Sequence, residues 1–205
     1  MKKQILAGAV TLLATSLIAA EANPKDAVKA AAKSLGDKDN YSWTTSIEWG
    51  GNAVGTVQGK TEKGGATSIA MSRGDQSTEA VLKAGKGAIK TDEGWKSLSE
   101  AAESQQGGGR FIARMLQNFK APAAEAEDIA GKVKELKLAD GVYSGDLTDE
   151  GAKELMSFRR GAGGGGPDVK SAKGSAKFWV KDGQISKYEY SLEGTMTFNN
   201  EDRDV

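Results

Sequence analysis

Between Lys173 and Gly194 the chain reads KGSAKFWVKDGQISKYEYSLEG, and this stretch constrains the fold more than any other. Asp182-Gly183 between two β-prone runs is a strong signal for an antiparallel hairpin. The large side chains fall on both parities, so facing must decide the loop length. A two-residue loop sets Val180 against Ile185 and Phe178 against Lys187, which strands the later aromatics on the wrong side. A three-residue loop, Lys181-Asp182-Gly183, sets Val180 against Gln184, Phe178 against Ser186, Ala176 against Tyr188 and Gly174 against Tyr190. It predicts Gly183 in the left-handed position of a bulged turn. Leu192, Met196 and Phe198 extend that face. Trp179 and Ile185 then share the reverse face with Lys177, Lys187 and Glu189, an apolar patch on a wet surface. A lone exposed tryptophan needs no function.

Other segments repeat the same grammar. In YSWTTSIEW, Tyr41, Trp43, Thr45, Ile47 and Trp49 alternate with Ser42, Thr44, Ser46 and Glu48, which is a strand period. Gly50-Gly51-Asn52 turns it back into a strand over 53–60. Further strands are expected at 67–73, 76–83, 88–91 and 95–98, separated by glycine-containing turns. The RGD at 73–75 falls at one of these turns, where a three-residue match carries little weight as an adhesion motif.

Helical spacing marks residues 25–35, with Pro24 suited to the first turn and Gly36 to the stop. Phe111, Met115 and Phe119 recur at four-residue steps beside Ile112 and Leu116, an amphipathic helix. Ala123 to Leu136 continues helically, its early acids Glu125, Glu127 and Asp128 favouring a helix N-terminus. Val142 to Leu147 reads as a strand, and Thr148 caps a short helix ending near Met156. Gly161 to Gly166 lacks the Gly-Lys-Ser/Thr ending of a phosphate loop and reads as a surface loop.

Lys2 and Lys3 precede an uncharged run from Ile5 to Ala20, and Ala20-Glu21-Ala22 supplies a small-x-small cleavage pattern. This reads as a secretory signal peptide over 1–22. The run is short for a membrane span, which needs roughly 20 apolar residues, and is interrupted by Gly8, Thr11, Thr15 and Ser16. The expected setting is the periplasm or cell envelope, or secretion, with one domain over 23–205 carrying a helical insertion at about 110–156. The sequence contains no cysteine, so a hydrophobic core rather than disulfides must hold an exported chain. Formal net charge is zero, which gives no electrostatic reason for a nucleic-acid partner.

Histidine is absent too. Together these absences remove Ser-His-Asp and Cys-His catalysis and the common zinc sites. The acids Asp146, Asp149 and Glu150 sit beside turns and helix starts, where carboxylates are usually solvated caps. EDRD at 201–204 lacks the full calcium-loop pattern. No enzyme activity, metal or cofactor is expected.

The order of signal peptide, N-terminal helix, strands through YSWTTSIEW, helical insertion and KFWVKDGQISKYEYSLEG hairpin resembles the lipoprotein-carrier superfamily. That family includes the outer-membrane lipoprotein carrier of Gram-negative bacteria and the mycobacterial lipid-binding envelope proteins. The resemblance implies an α+β fold: a strongly curved antiparallel sheet, an unclosed barrel, with helices packed in or over its concave face. By that likeness Trp43, Ile47, Trp49, Phe178, Tyr188, Tyr190, Leu192 and Phe198 would line an apolar hollow, lidded by Phe111, Met115 and Phe119. The chain also ends at Val205 directly after a strand, where such a fold supplies more, and truncation is expected there.

The resulting expectation is an exported envelope protein that binds lipid or the acyl chains of a lipoprotein for transport or shielding. The alternative is a non-catalytic structural or interaction module with a packed core and no ligand cavity. A third reading, an inhibitor or chaperone-like subunit that augments a partner's sheet, rests on the strand edge expected to be left open at the C-terminus.

Overall fold

The computed structural model describes residues 23–74, 76–103, 109–158, 168–198 and 201–205. The leader at 1–22, the glycine run at 161–166 and Asp75 of the RGD therefore lie outside the described residues.

The chain opens with α1 (Pro24–Gly36), whose N-cap Asn23 accepts a hydrogen bond from the Lys25 amide at 3.0 Å. A meander follows: β1 (Asn40–Trp49), β2 (Asn52–Glu62), β3 (Thr67–Arg73), β4 (Gln76–Lys83), β5 (Lys86–Thr91) and β6 (Gly94–Ser97). These six pair in sequence order as one antiparallel sheet. Three helices come next, α2 (Leu98–Glu103), α3 (Gly109–Gln117) and α4 (Pro122–Lys132). The second sheet holds β7 (Lys137–Ala139), β8 (Val142–Asp146), β9 (Asp168–Lys181), β10 (Gln184–Phe198) and β11 (Glu201–Asp204), in the order β11-β10-β9-β8-β7. The last helix, α5 (Asp149–Phe158), lies between β8 and β9.

This arrangement corrects the expected fold class. The α+β composition holds, but the strands divide into two open antiparallel sheets, and neither is strongly curved or closed into a barrel. The resemblance to the lipoprotein-carrier superfamily, which rested on a single curved sheet, fails on the same finding. Within the stretch 110–156, β8 lies where the sequence predicts a strand, β7 pairs with it, and both join the second sheet.

Two cores follow from two sheets. In the first, the inward row Trp43, Gly59, Ile69, Ala80 and Ile89 crosses β1 to β5 in register. It packs under Leu98 and Ala101 of α2 and Ala113 and Leu116 of α3. In the second, Ala176 and Phe178 of β9 and Met196 of β10 pack against the small faces of α1, α4 and α5, namely Val28, Ala31, Ala126, Ile129, Ala152 and Leu155. Alanine on these helices lets them approach closely. Lys25 at the start of α1 donates from Nζ to the Val133 carbonyl at 2.6 Å, a cation at the C-terminal end of α4. The first helix thus belongs with the second sheet.

The β9–β10 hairpin also departs from expectation. Its turn has two residues, Asp182 and Gly183, both at positive φ (51° and 72°), as a type I′ turn requires. Val180 pairs with Ile185, and a bulge at Ser186 then shifts the register so that Phe178 pairs with Tyr188 and Ala176 with Tyr190. The even-numbered residues share a face as expected, but a bulge inside the strand, not a longer loop, restores the parity. The bulge also separates Trp179 from Ile185. Ile185 is buried in the core, while Trp179 pairs with Lys187, whose ammonium sits 4.7 Å from its ring centroid.

Gly59 shows how tightly the first core is built. A Cβ placed there would lie 2.3 Å from the Trp43 ring, so only glycine lets the indole lie flat across β2. The ring is fixed by its N–H donating to Thr61 Oγ1 at 3.0 Å and by stacking on Phe119, with centroids 5.7 Å apart. Gly59→Val forces the indole off its seat and is expected to cost about 1–3 kcal/mol, an overpacking cost. Chemical denaturation measures the loss, and a red shift of tryptophan emission would report exposure of Trp43.

Candidate functional site

The outward face of the first sheet carries mainly small and polar side chains, with Val81 and Trp95 exposed among them. One row runs Thr44, Gln58, Ala70 and Glu79 across β1 to β4, and Lys90 continues it through an ion pair with Glu79 at 3.1 Å. Exposed Trp95, paired with Lys90, stands at the far side. On β9 and β10 the outward residues are Ser175, Lys177, Lys187, Glu189 and Ser191, where Ser175 and Ser191 share a hydrogen bond at 3.2 Å. These two faces flank one open cleft of about 1590 Å³.

Its floor is built from α4 and the inward side of both edges. Pro122 starts the helix and Glu125 lies in its first turn. The Glu125 carboxylate accepts hydrogen bonds from the Tyr188 hydroxyl and, at 3.3 Å, from the Tyr190 hydroxyl. On the other side the Ala123 amide donates to Tyr41 Oη at 3.4 Å. The beginning of α4 is therefore tied to β1 through one tyrosine and to β10 through two. The helix dipole favours the carboxylate at this position. Burial pushes the Tyr188 phenol well above its ordinary pKa, and the neighbouring Glu125 charge pushes it the same way.

The residues expected to line a hollow are distributed between the two cores. Phe178 is fully buried against the helices of the second. Tyr188, Tyr190 and Leu192 pack against that core and also reach the cleft. Trp43, Met115 and Phe119 pack together in the first core, and only Trp43 of these lines the cleft. Ile47 is half-buried on β1, and Trp49 is 51 % exposed at its end. The side chains of Phe111 and Phe198 lie outside the described residues.

Several of the carboxylates weighed for other chemistry have partners. Asp149 pairs with Lys134 at 3.2 Å. EDRD forms β11, where Asp202 meets Lys170 at 2.6 Å and Asp204 accepts from Thr195 at 2.9 Å. Among the described residues no cluster of acids could hold a metal ion, and no helix is long and apolar enough to cross a membrane. Glu125 and Tyr41 are the floor residues that sequence reasoning left unassigned. Glu125 was legible only as a charge suited to a helix start.

Tyr188 gives this site a pH signature. A phenol whose folded pKa is raised contributes stability that is complete below the ordinary tyrosine value, about 10, and is lost as pH rises past it. Stability is therefore expected to hold through neutral pH and to fall above about pH 10. Ultraviolet tyrosinate absorbance should show one of the four tyrosines ionising only with unfolding. Tyr188→Phe removes one charge-assisted bond and should cost about 1.5–3 kcal/mol at neutral pH, read by urea denaturation, while abolishing most of that alkaline decline. No protein-family model matches the chain, and no curated protein matches it.

Proposed function

We propose that the chain is a non-catalytic interaction module whose contact surface is the open cleft between its sheets. The observation that carries this reading is the burial of Phe178, together with the tethering of Tyr188 and Tyr190 to Glu125. Phe178, Tyr188 and Tyr190 are engaged within the molecule, and the cleft walls mix polar groups such as Ser42, Gln58, Lys177 and Glu189 with apolar ones such as Val81, Trp95 and Leu192. Such mixed walls suit a partner that brings polar as well as apolar groups, since a hydrocarbon tail alone would leave the polar ones unsatisfied. The absence of histidine and cysteine supports a role without covalent chemistry.

Binding of lipid or lipoprotein acyl chains is the competing reading, and one experiment separates the two. Palmitate or an apolar fluorescent dye, added to the chain lacking residues 1–22, is expected to leave the melting temperature and the dye emission unchanged. Burial of an acyl chain yields about 0.8 kcal/mol per CH₂, so a real hydrocarbon site would raise the melting temperature by several degrees, and that result would overturn the module reading.

In this proposal residues 1–22 are a leader that sends the module outside the cytoplasm. Cleavage after Ala22 would leave Asn23, the residue that caps α1, at the new terminus. N-terminal sequencing of exported protein is expected to begin at Asn23, and an intact Met1 would remove this part.

A further inference from the structure

Two strand edges without a neighbour face the same cleft. Among the described residues, β1 pairs only with β2. On β10, β11 and Val205 cover the strand from Gly194 onward, so, among the described residues, 184–193 pair only with β9. The cleft touches consecutive residues of both strands, Tyr41 to Ser46 and Ile185 to Leu192. Successive side chains of a strand point to opposite faces, so a space bordered by all of them lies against the edge itself. A smaller cleft joins the two beginnings, Tyr41 and Ser42 of β1 with Gln184 to Ser186 of β10. The strands start at one end and run the same way along the gap.

We propose that this gap receives an extended polypeptide segment, inserted as a strand antiparallel to both β1 and β10. The inference rests on the interaction-module reading and names its partner. A strand edge presents amides and carbonyls in alternation, and a peptide backbone complements such rows on both of its sides at once. Neither a lipid nor a compact metabolite does so. From Asn40 to Ile47 the β1 edge also lacks the usual protection against pairing, its irregularity lying at Ile47/Glu48 near the end. NYSWTTSIEW runs ten residues with no proline and no lysine, whereas edges meant to stay open are guarded by such residues.

The floor sets the pattern of the incoming segment. Side chains pointing inward meet Leu35, Tyr41, Tyr188 and Tyr190, so alternate positions are apolar or aromatic. Those between them face Ser42, Thr44 and Lys187 near solvent and are polar. The edge from Tyr41 to Glu48 accommodates about eight residues, roughly 25 Å of strand. Glu125 holds the floor in place beneath this segment.

The test is a displayed library of random twelve-residue peptides panned against the chain lacking residues 1–22, followed by synthesis of the enriched sequences. Enriched peptides are expected to alternate apolar and polar residues and to slow amide hydrogen exchange in 42–48 and 187–191. Copies N-methylated at alternate residues should bind at least about tenfold more weakly, since they lose main-chain hydrogen bonds. Failure to enrich any peptide, binding that survives N-methylation on either alternate set, or protection confined to other strands would each overturn the proposal. So would a dimer by analytical ultracentrifugation whose β1 amides are already protected without peptide. A chain indifferent to both peptides and palmitate loses this inference and keeps the module reading. A chain stabilised by palmitate loses the module reading itself.

Discussion

One carboxylate at the start of one helix governs how the two halves of this molecule meet. Glu125 accepts from Tyr188 and Tyr190 on β10, while two residues earlier the Ala123 amide reaches Tyr41 on β1. Hydrogen bonds to a charged group contribute about 1.5–3 kcal/mol each, more than neutral ones. That margin matters because, among the described residues, the sheets share no strand pairing and each has its own apolar core. The beginning of α4 sets the separation of β1 and β10, and with it the width of the cleft.

The rest of the architecture reinforces this point from behind. Lys25 at the start of α1 meets the carbonyl at the far end of α4, and Lys132 bridges Asp128 within α4 and Glu154 of α5 at 2.7 and 3.2 Å. Burial alone would raise the Asp128 pKa, but the hydrogen bonds and charges of Lys132 and Lys120 outweigh it and hold the carboxyl below its ordinary value. Both ends and the middle of α4 are thereby fixed. A helix held this firmly can position a carboxylate under an open cleft without being drawn into solvent.

Much of the local structure was legible because its signals are local. Period-two alternation and glycine-bearing turns located β1 to β6 to within a few residues, and Thr148 does cap α5, accepting from the Gly151 amide at 3.0 Å. The helix α2 was overlooked although Ser97 and Glu100 form a reciprocal capping box there. The register of β9 and β10 was not legible, since a bulge at Ser186 and a longer loop give the same parity. The division into two sheets was hidden for a deeper reason. Whether β1 joins β10 depends on groups far apart in sequence, and no periodicity encodes an absent pairing. The same distance concealed Glu125, whose partners lie on the last long strand.

The allegiance of α1 carries a consequence for how the chain acquires its shape. This helix precedes every other described element, yet it docks on α4 and β10 rather than on the meander that directly follows it. Its contacts close loops of about a hundred residues or more, the kind of long-range closure that slows a folding reaction. During vectorial synthesis the meander can form early with α2 and α3, while α1 waits for the C-terminal hairpin. Until α4 and β10 are in place, the small apolar face of α1, with Val28, Ala31 and Ala32, lacks the surface it buries itself against.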